Sequence, residues 1–546
     1  AHQVLKMFAG VLHSVFSGQR NSFKALNASD FEKVILFSMA WGIAGSYETK
    51  ERFEFQKLVQ EVPKAILPNL KEGETIFDYY VHIDERSIEW RLIQPEKWVP
   101  PKQIYFSRLL MPTIDSTRAE ILINHLMGMK SSVLLIGGSG TAKTSSVLMY
   151  ANKFDSNKML LHRMNFSSAT QPVHFQTSIE SVCDTKIRKG FGPKDGKEMT
   201  VFIDDLSMPE KNKWGDQITL EIVRELIEDS GFYRLEKNER GNFKYIENLN
   251  FISAMNHPGG GRNDIPNRLK HHFFVINMTL PSRIDIIYDP ILKNVFKSSE
   301  FPNEVTQVVN SLSNATVTLW NKVKATLLPS PSKFHYLFNL RDISRIFKGM
   351  CQADKTTIMN LNNDSLSGLK SDLFMIGLWK HECERVFVDK LINEKDKEVA
   401  MELINSTCRD SFGALNPHID THVISKNIYF CDFMQMSTKV DEDEEGGADE
   451  ADDDPDRHYE PVADIEKLRA KALALLKKYN KLNPQKKMDL VLFNDALAHL
   501  IKISRIIQMP RSSALLVGVG GSGKQSLTRL AASIGEQIVF QIQLTK

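Results

Sequence analysis

The chain has 546 residues, 42% of them hydrophobic and 25% charged, with a net charge of +2; these are ordinary values for a soluble globular protein of several domains. So balanced a charge gives nucleic acid no electrostatic footprint, and no apolar run approaches the ~20 residues of a membrane span, so neither is an expected partner. The five cysteines (Cys183, Cys351, Cys383, Cys408 and Cys431) stand far apart without C-x-x-C spacing, which points away from a disulfide framework or zinc cluster and toward a reducing cytosolic compartment.

Residues 1–100 read as a helical subdomain, with apolar positions at three- and four-residue spacing through 31–41 and 53–59. Val99-Pro100-Pro101 marks a boundary. Over 101–282 short apolar runs at 133–137, 159–165, 199–204, 250–255 and 273–278 alternate with helical stretches, the pattern of a parallel sheet flanked by helices on both faces. Residues 283–440 turn helical again, at 283–296, 304–327, 338–350 and 369–391, and predict a lid subdomain on the α/β core. Residues 441–460 are an acidic linker, with eleven carboxylates among positions 441–456; self-repulsion predicts a disordered or loosely extended segment, either a solvated loop or a docking site for a basic partner. Residues 461–546 hold a linker helix from Ile465 and a second strand, Gly-rich loop and helix from Ala514. The start at Ala1 and the stop at Lys546, 22 residues after Lys524, suggest a piece of a longer protein whose last domain is cut short.

Gly137-Gly138-Ser139-Gly140-Thr141-Ala142-Lys143-Thr144 follows the first apolar strand and matches the phosphate-binding loop G-x-x-x-x-G-K-[ST], with Ala142 in place of the last glycine. Backbone N–H groups of such a loop converge on phosphates, and the helix N-terminus adds positive dipole. Lys143 is expected on the β/γ-phosphates of ATP or ADP and the Thr144 hydroxyl on Mg²⁺. A right-handed backbone at Ala142 would accept the extra methyl without strain. Gly518-Val519-Gly520-Gly521-Ser522-Gly523-Lys524-Gln525-Ser526 is a second such loop, about 380 residues on. There Gln525 replaces the hydroxyl residue, a poorer magnesium ligand, and Ser526 stands one position too far round the helix. Two loops in one chain indicate serial modules.

About sixty residues after Lys143, the apolar run 199–203 ends in Asp204-Asp205. Asp204 is the expected magnesium carboxylate. Asp205 stands where a longer Glu would polarise attacking water, and a shortfall of roughly 1 Å can cost ~10²-fold in rate; the alternative is that Asp205 only caps the next turn. The run 250–255 ends in Asn256, placed as a sensor for the γ-phosphate, and is followed by Pro258-Gly259-Gly260-Gly261-Arg262. Arg268, just before the last strand, reads as an arginine finger for a neighbouring site or as a surface charge. Arg341, on the lid, is the candidate second sensor. His381-Glu382-Cys383 suggests a metal by residue type and a structural role by its apolar helix.

With these residues in view, the chain resembles a dynein heavy chain of the axonemal type, an AAA+ motor. The resemblance rests on Leu110-Met111-Pro112-Thr113-Ile114-Asp115-Ser116, the loop 137–144, Phe202-Ile203-Asp204-Asp205-Leu206, and Asn256 through Arg262. It extends to Met488-Asp489-Leu490-Val491-Leu492-Phe493 and the loop with Lys524. It implies tandem AAA+ modules: the end of the second in 1–100, the third from 101 to about 480, and the opening of the fourth. It also implies that Pro112 and Ile114 line the adenine pocket of the third site, and Val491 and Leu492 that of the fourth. By this resemblance the main power-stroke hydrolysis belongs to a module absent from these residues, the third and fourth sites are regulatory, and the microtubule-binding stalk lies beyond them. The implied partners are the remaining modules of the same heavy chain and, through the full-length protein, axonemal intermediate and light chains and microtubules. The implied location is cytoplasm, cytoskeleton and the axoneme of a cilium or flagellum. His271 departs from the family, which often carries an Arg there, and leaves the finger assignment open. The expected function is a regulatory ATP/ADP-binding segment with slow or absent hydrolysis; the alternative is a permanently nucleotide-filled scaffold. A polypeptide-threading enzyme would need an aromatic pore loop, which Ser167-Ser168-Ala169-Thr170 does not supply.

Overall fold

The computed structural model describes residues 2–17, 27–63, 65–83, 87–101, 104–106, 109–185, 191–259, 263–281, 283–297, 300–353, 355–360, 370–426, 428–436, 457–462 and 464–542. The acidic tract 441–456 and Arg262 lie outside the described residues. By their contacts the residues form two compact units, one of 1–99 with 110–282, the other of 100–109 with 283–546.

The first unit is built on five parallel strands: β1 (Ser132–Gly137), β2 (Met159–Asn165), β3 (Glu198–Asp204), β4 (Leu249–Met255) and β5 (Phe273–Met278). They lie in the order β5-β1-β4-β3-β2. Such a sheet buries both faces, and its strands are accordingly continuous apolar runs. Val133 and Leu135 join the cluster on one face, and Leu134 the cluster on the other. The first face is covered by helix Ile114–Met127 and by the N-terminal helices His2–Ser17 and Ala28–Ile43, through Val11, Val34, Phe37, Trp41, Leu122 and Ile123. The second is covered by helices Pro172–Glu180 and Ile218–Asp229, through Phe175, Ile179, Leu220 and Val223. Each such side chain contributes about 1.5–3 kcal/mol on full burial.

Residues 1–98 are less helical than their spacing predicts. Tyr79–Ile83 and Ile88–Leu92 pair as an antiparallel hairpin, with Tyr79 opposite Leu92; these runs are aromatic and β-branched, and their composition favours strand over helix. Arg52 fastens this segment to the sheet. Its guanidinium donates to Gly45 O (2.9 Å) and to Asn277 O at the end of β5 (2.7 Å). Burial lowers its pKa to about 10, with Arg118 adding to the effect.

In the second unit helix Asn303–Thr326 packs against Leu340–Met350, Ser371–Cys383 and Glu394–Phe412. Every residue of Ser371–Cys383 is buried, so its polar side chains must find partners inside. Trp379 Nε1 donates to Thr316 Oγ1 (2.9 Å), Asp372 accepts from Asn416 Nδ2 (2.7 Å), and Lys380 donates to Val423 O (3.0 Å). Helices Ile465–Leu482, Asn494–Gln508 and Lys524–Ile534 share a separate apolar core around Leu468, Leu497, Leu500 and Leu530. The strand expected from Ala514 does not form: residues 514–517 pair with nothing among the described residues, and Leu515 is 90% exposed. An isolated strand has no partner for its N–H and C=O groups, however apolar its sequence.

Candidate functional site

The first loop leaves β1 at Gly137, where a Cβ would lie 2.4 Å from Met278 O on β5 and 2.8 Å from Thr141 Oγ1. Only glycine fits there. Gly140 (φ 86°) and Ala142 (φ 61°, ψ 22°) both adopt the left-handed conformation, which corrects the right-handed backbone expected at Ala142. The turn into helix Lys143–Ala151 demands a positive φ whichever residue supplies it, and Ala142 bears the steric cost. The second loop repeats the geometry with glycines, at Gly521 (φ 80°) and Gly523 (φ 74°, ψ 5°). No hydrogen bond of ordinary geometry takes the N–H groups of Gly140, Thr141 and Ala142 in the described residues. Free donors beside a lysine at a helix N-terminus suit a polyphosphate.

Lys143 Nζ donates to Gly137 O (2.9 Å), Gly138 O (2.7 Å) and Asn256 Oδ1 (3.2 Å). Thr144 Oγ1 donates to Asp204 Oδ2 (2.8 Å). The sheet order explains both contacts: β1 lies beside β4, so Asn256 follows directly from the strand next to the loop, and β3 with Asp204 is one strand further. The structure therefore brings Lys143, Thr144, Asp204 and Asn256 together at the carboxyl ends of the strands, where ligands bind in open parallel sheets. Sequence reading missed Arg163 on β2, whose Nη2 lies 3.2 Å from the same Asp204 Oδ2. The only signal was a cation in a mostly apolar run that also holds His162 and Asn165.

Asp205 is exposed and left-handed, with φ 56°. Asp and Asn tolerate that region better than Glu does, so the backbone supplies its own reason for an aspartate here. Arg268 is ion-paired, its Nε 2.8 Å from Glu221 Oε1 on helix Ile218–Asp229. Arg341 is exposed in the first turn of helix Leu340–Met350 in the second unit, after the Asn339 cap. A helix N-terminus offers a cation no stabilisation.

Thr113 caps helix Ile114–Met127 by accepting from Ser116 N (3.1 Å). Pro112 lines a cavity of about 770 Å³ together with Tyr80, Leu110, Glu120, Met149 and Lys153; Ile114, which is exposed, is not among its lining residues. At the second loop Lys524 Nζ donates to Gly518 O (2.7 Å), Val519 O (2.6 Å) and Ser522 Oγ (3.0 Å), the same pattern as Lys143. Gly520 and Gln525 are exposed and Ser526 is partly buried on the helix. Val491 is 83% exposed, whereas Leu492 is buried in the core of that region. Glu382 is held by Arg385 (Nε 2.9 Å) and Arg505, and His381 Nε2 lies 3.0 Å from the Tyr459 hydroxyl, a structural use of both residues. All five thiols are free.

Comparison with known proteins agrees with this geometry. Residues 98–281 match the family model described as the P-loop containing dynein motor region, and residues 488–546 match that of the P-loop containing dynein motor region D4. Residues 1–92 match the dynein heavy chain AAA lid domain and residues 312–421 the AAA+ lid domain. Dynein axonemal heavy chain 5 of Mus musculus is 41% identical over 522 residues, 94% of this chain and 11% of that protein. The dynein gamma chain of the flagellar outer arm of Chlamydomonas reinhardtii is 37% identical over 539 residues, 96% of this chain and 12% of that protein. Dynein axonemal heavy chain 8 of Homo sapiens is 37% identical over 552 residues, 100% of this chain and 12% of that protein. The chain thus spans about a tenth of the length of the curated relatives it matches.

Proposed function

We propose, from the premise that this chain belongs to the dynein heavy-chain family, that it is a regulatory ATP- or ADP-binding segment of an axonemal motor. In this reading residues 101–282 and 283–440 are the core and lid of the third AAA+ module, residues 1–100 close the second, and residues 461–546 open the fourth. The carrying observation is the meeting of Lys143, Thr144, Asp204 and Asn256 at one end of the sheet. Lys143 and the free N–H groups of the loop would bind the phosphates. Thr144 and Asp204 would hold Mg²⁺, which offsets phosphate charge. Asn256, fixed against Lys143, would report the terminal phosphate. Pro112 and Ile114 would border the base, and Arg341 would close from the lid. The second loop would bind nucleotide through Gly518, Gly521, Gly523 and Lys524, with Gln525 withholding the hydroxyl ligand.

Hydrolysis at the first site is read as slow because Asp205 is short for a water-polarising carboxylate and its left-handed backbone opposes a longer residue. The bound nucleotide would then bias ring conformation rather than drive the stroke. Remaining modules of the heavy chain, intermediate and light chains, and microtubules reached through the full-length protein are the proposed partners, in the axoneme of a cilium or flagellum. The competing reading is a scaffold whose nucleotide is never released. In the purified full-length motor, a fluorescent ADP analogue should enter this site over minutes and be excluded by Lys143→Ala. An Asp205→Glu motor should turn over faster. Failure of exchange over days would favour the scaffold, and an unchanged Asp205→Glu rate would remove Asp205 as the limiting feature.

A further inference from the structure

Asp204 Oδ2 is engaged twice, by Thr144 Oγ1 at 2.8 Å and by Arg163 Nη2 at 3.2 Å. The second contact is a fixed cation on the carboxylate read above as the metal holder. Arg163 reaches it from β2, which pairs with β3 so that Arg163 lies opposite Phe202 and Asn165 opposite Asp204. Its guanidinium also lies 6.0 Å from the centre of the Phe202 ring, within range of a cation–π attraction. The Arg163 side chain is 40% exposed and that of Asp204 only 13%, so the arginine approaches from the solvent side of a largely buried carboxylate. Phosphate binding as such does not require this arrangement, since Lys143 and the loop donors already serve the phosphates.

We propose that Arg163 is a positioning residue that sets the metal affinity of this nucleotide site: its guanidinium occupies Asp204 when no divalent cation is present and opposes the cation when one binds. The inference rests on the reading of Thr144 and Asp204 as the metal-facing pair. Asp204 Oδ2, which already accepts two hydrogen bonds, has little capacity left, so a cation at that oxygen would compete with the guanidinium and one at Oδ1 would still feel its charge. A unit charge some 6 Å from a divalent ion, screened by water, weakens binding on the order of tenfold. The site would consequently hold nucleotide with its metal loosely bound by Thr144 and Asp204, which suits retention better than turnover, because a bound cation would supply the charge neutralisation that hydrolysis needs.

The test is Mn²⁺ titration, followed by electron paramagnetic resonance, of the full-length motor saturated with ADP, the other sites serving as internal standards. Arg163→Gln should tighten one class of Mn²⁺ sites about tenfold, and Arg163→Lys, which keeps the charge, should leave it weak. Unchanged Mn²⁺ affinity in Arg163→Gln would overturn the inference. So would a fall in ADP affinity in excess EDTA for the same variant, because the arginine would then be a phosphate ligand. Lys143→Ala separates this from the parent reading: if that variant binds as many Mn²⁺ ions as the wild type, nucleotide binding at this loop is itself wrong.

Discussion

Ala142 and Gly523 occupy the same place in two loops, each the residue before the helix and each left-handed, at φ 61° and φ 74°. Exchanging them isolates the energetics of one dihedral. An L-residue with a Cβ gives up about 1–2 kcal/mol in that region, and glycine returns about 0.4–1 kcal/mol through the greater freedom of its unfolded chain. Ala142→Gly should therefore stabilise the first loop by a net ~0.5–1 kcal/mol, and Gly523→Ala should destabilise the second by a similar amount. Hydrogen exchange read by mass spectrometry on peptides spanning each loop measures local opening directly. After correction for intrinsic rates, exchange at the first loop should slow by about 2–5-fold and at the second should quicken by about 2–5-fold. A Cβ at Gly523 would meet nothing within 4 Å, so a clash cannot mimic the result in the second loop. Shifts of the same sign in both loops, or faster exchange in Ala142→Gly, would refute the argument from backbone strain.

Two further outcomes follow from the buried charges of the second unit. Glu382→Gln leaves Arg385 and Arg505 without their shared counter-charge and should cost about 3–5 kcal/mol in urea unfolding, whereas Arg409→Gln, which breaks an exposed pair with Asp420, should cost under ~1 kcal/mol; equal costs would contradict the assignment. Burial, with Lys502, Arg385 and Arg505 nearby, holds the His381 pKa well below 6.5, so the unfolded chain binds a proton that the folded one refuses. Stability from this group is present above pH 6.5 and is lost as pH falls below it, by at most ~1.4 kcal/mol per pH unit. Replacing His381 with Gln should flatten that part of a stability-versus-pH curve, and an unaltered slope would show that another group titrates.

Fully buried strands are legible because both faces demand apolar residues. All five strands of the sheet stand in the sequence to within a residue or so, as does the loop that follows the first. Position 142 was misread because the motif constrains residue type, while the backbone path constrains dihedral angle, and the two agree only when glycine is present. The hairpin Tyr79–Ile83 with Ile88–Leu92 was hidden by its short strands and by helical periodicity upstream. Ala514 and the three residues after it show the reverse: a strand-like sequence whose state depends on neighbours that a local reading does not supply. The meeting of Lys143, Thr144, Asp204 and Asn256 was foreseeable from motif order, since Asp204 and Asn256 stand at strand ends and Lys143 and Thr144 open the helix after the loop that leaves β1. The contact of Arg163 with Asp204 was not, because it depends on which strand lies beside β3, and the sheet order 5-1-4-3-2 is a property of the whole fold.

That dependence on neighbours also governs the lid. Helix Leu340–Met350, which carries Arg341 in its first turn, closes on helix Ser371–Cys383 where Gly349 meets Glu382, and a Cβ on Gly349 would lie 2.3 Å from that carboxyl carbon. Into the same contact comes Arg505, which donates to Gly349 O (3.0 Å), approaches Glu382 Oε1 (3.5 Å) and stacks on Tyr459 at 3.6 Å. Arg505 belongs to helix Asn494–Gln508, the last helix before the loop with Lys524. Separating helix Asn494–Gln508 from the other two would leave the buried Arg505 without its carboxylate and Glu382 with Arg385 alone, a cost of several kcal/mol. They therefore move together or not at all. A displacement of helix Leu340–Met350 is thus resisted by the helix that leads to the second phosphate loop, through Arg505 on Gly349 O and Glu382.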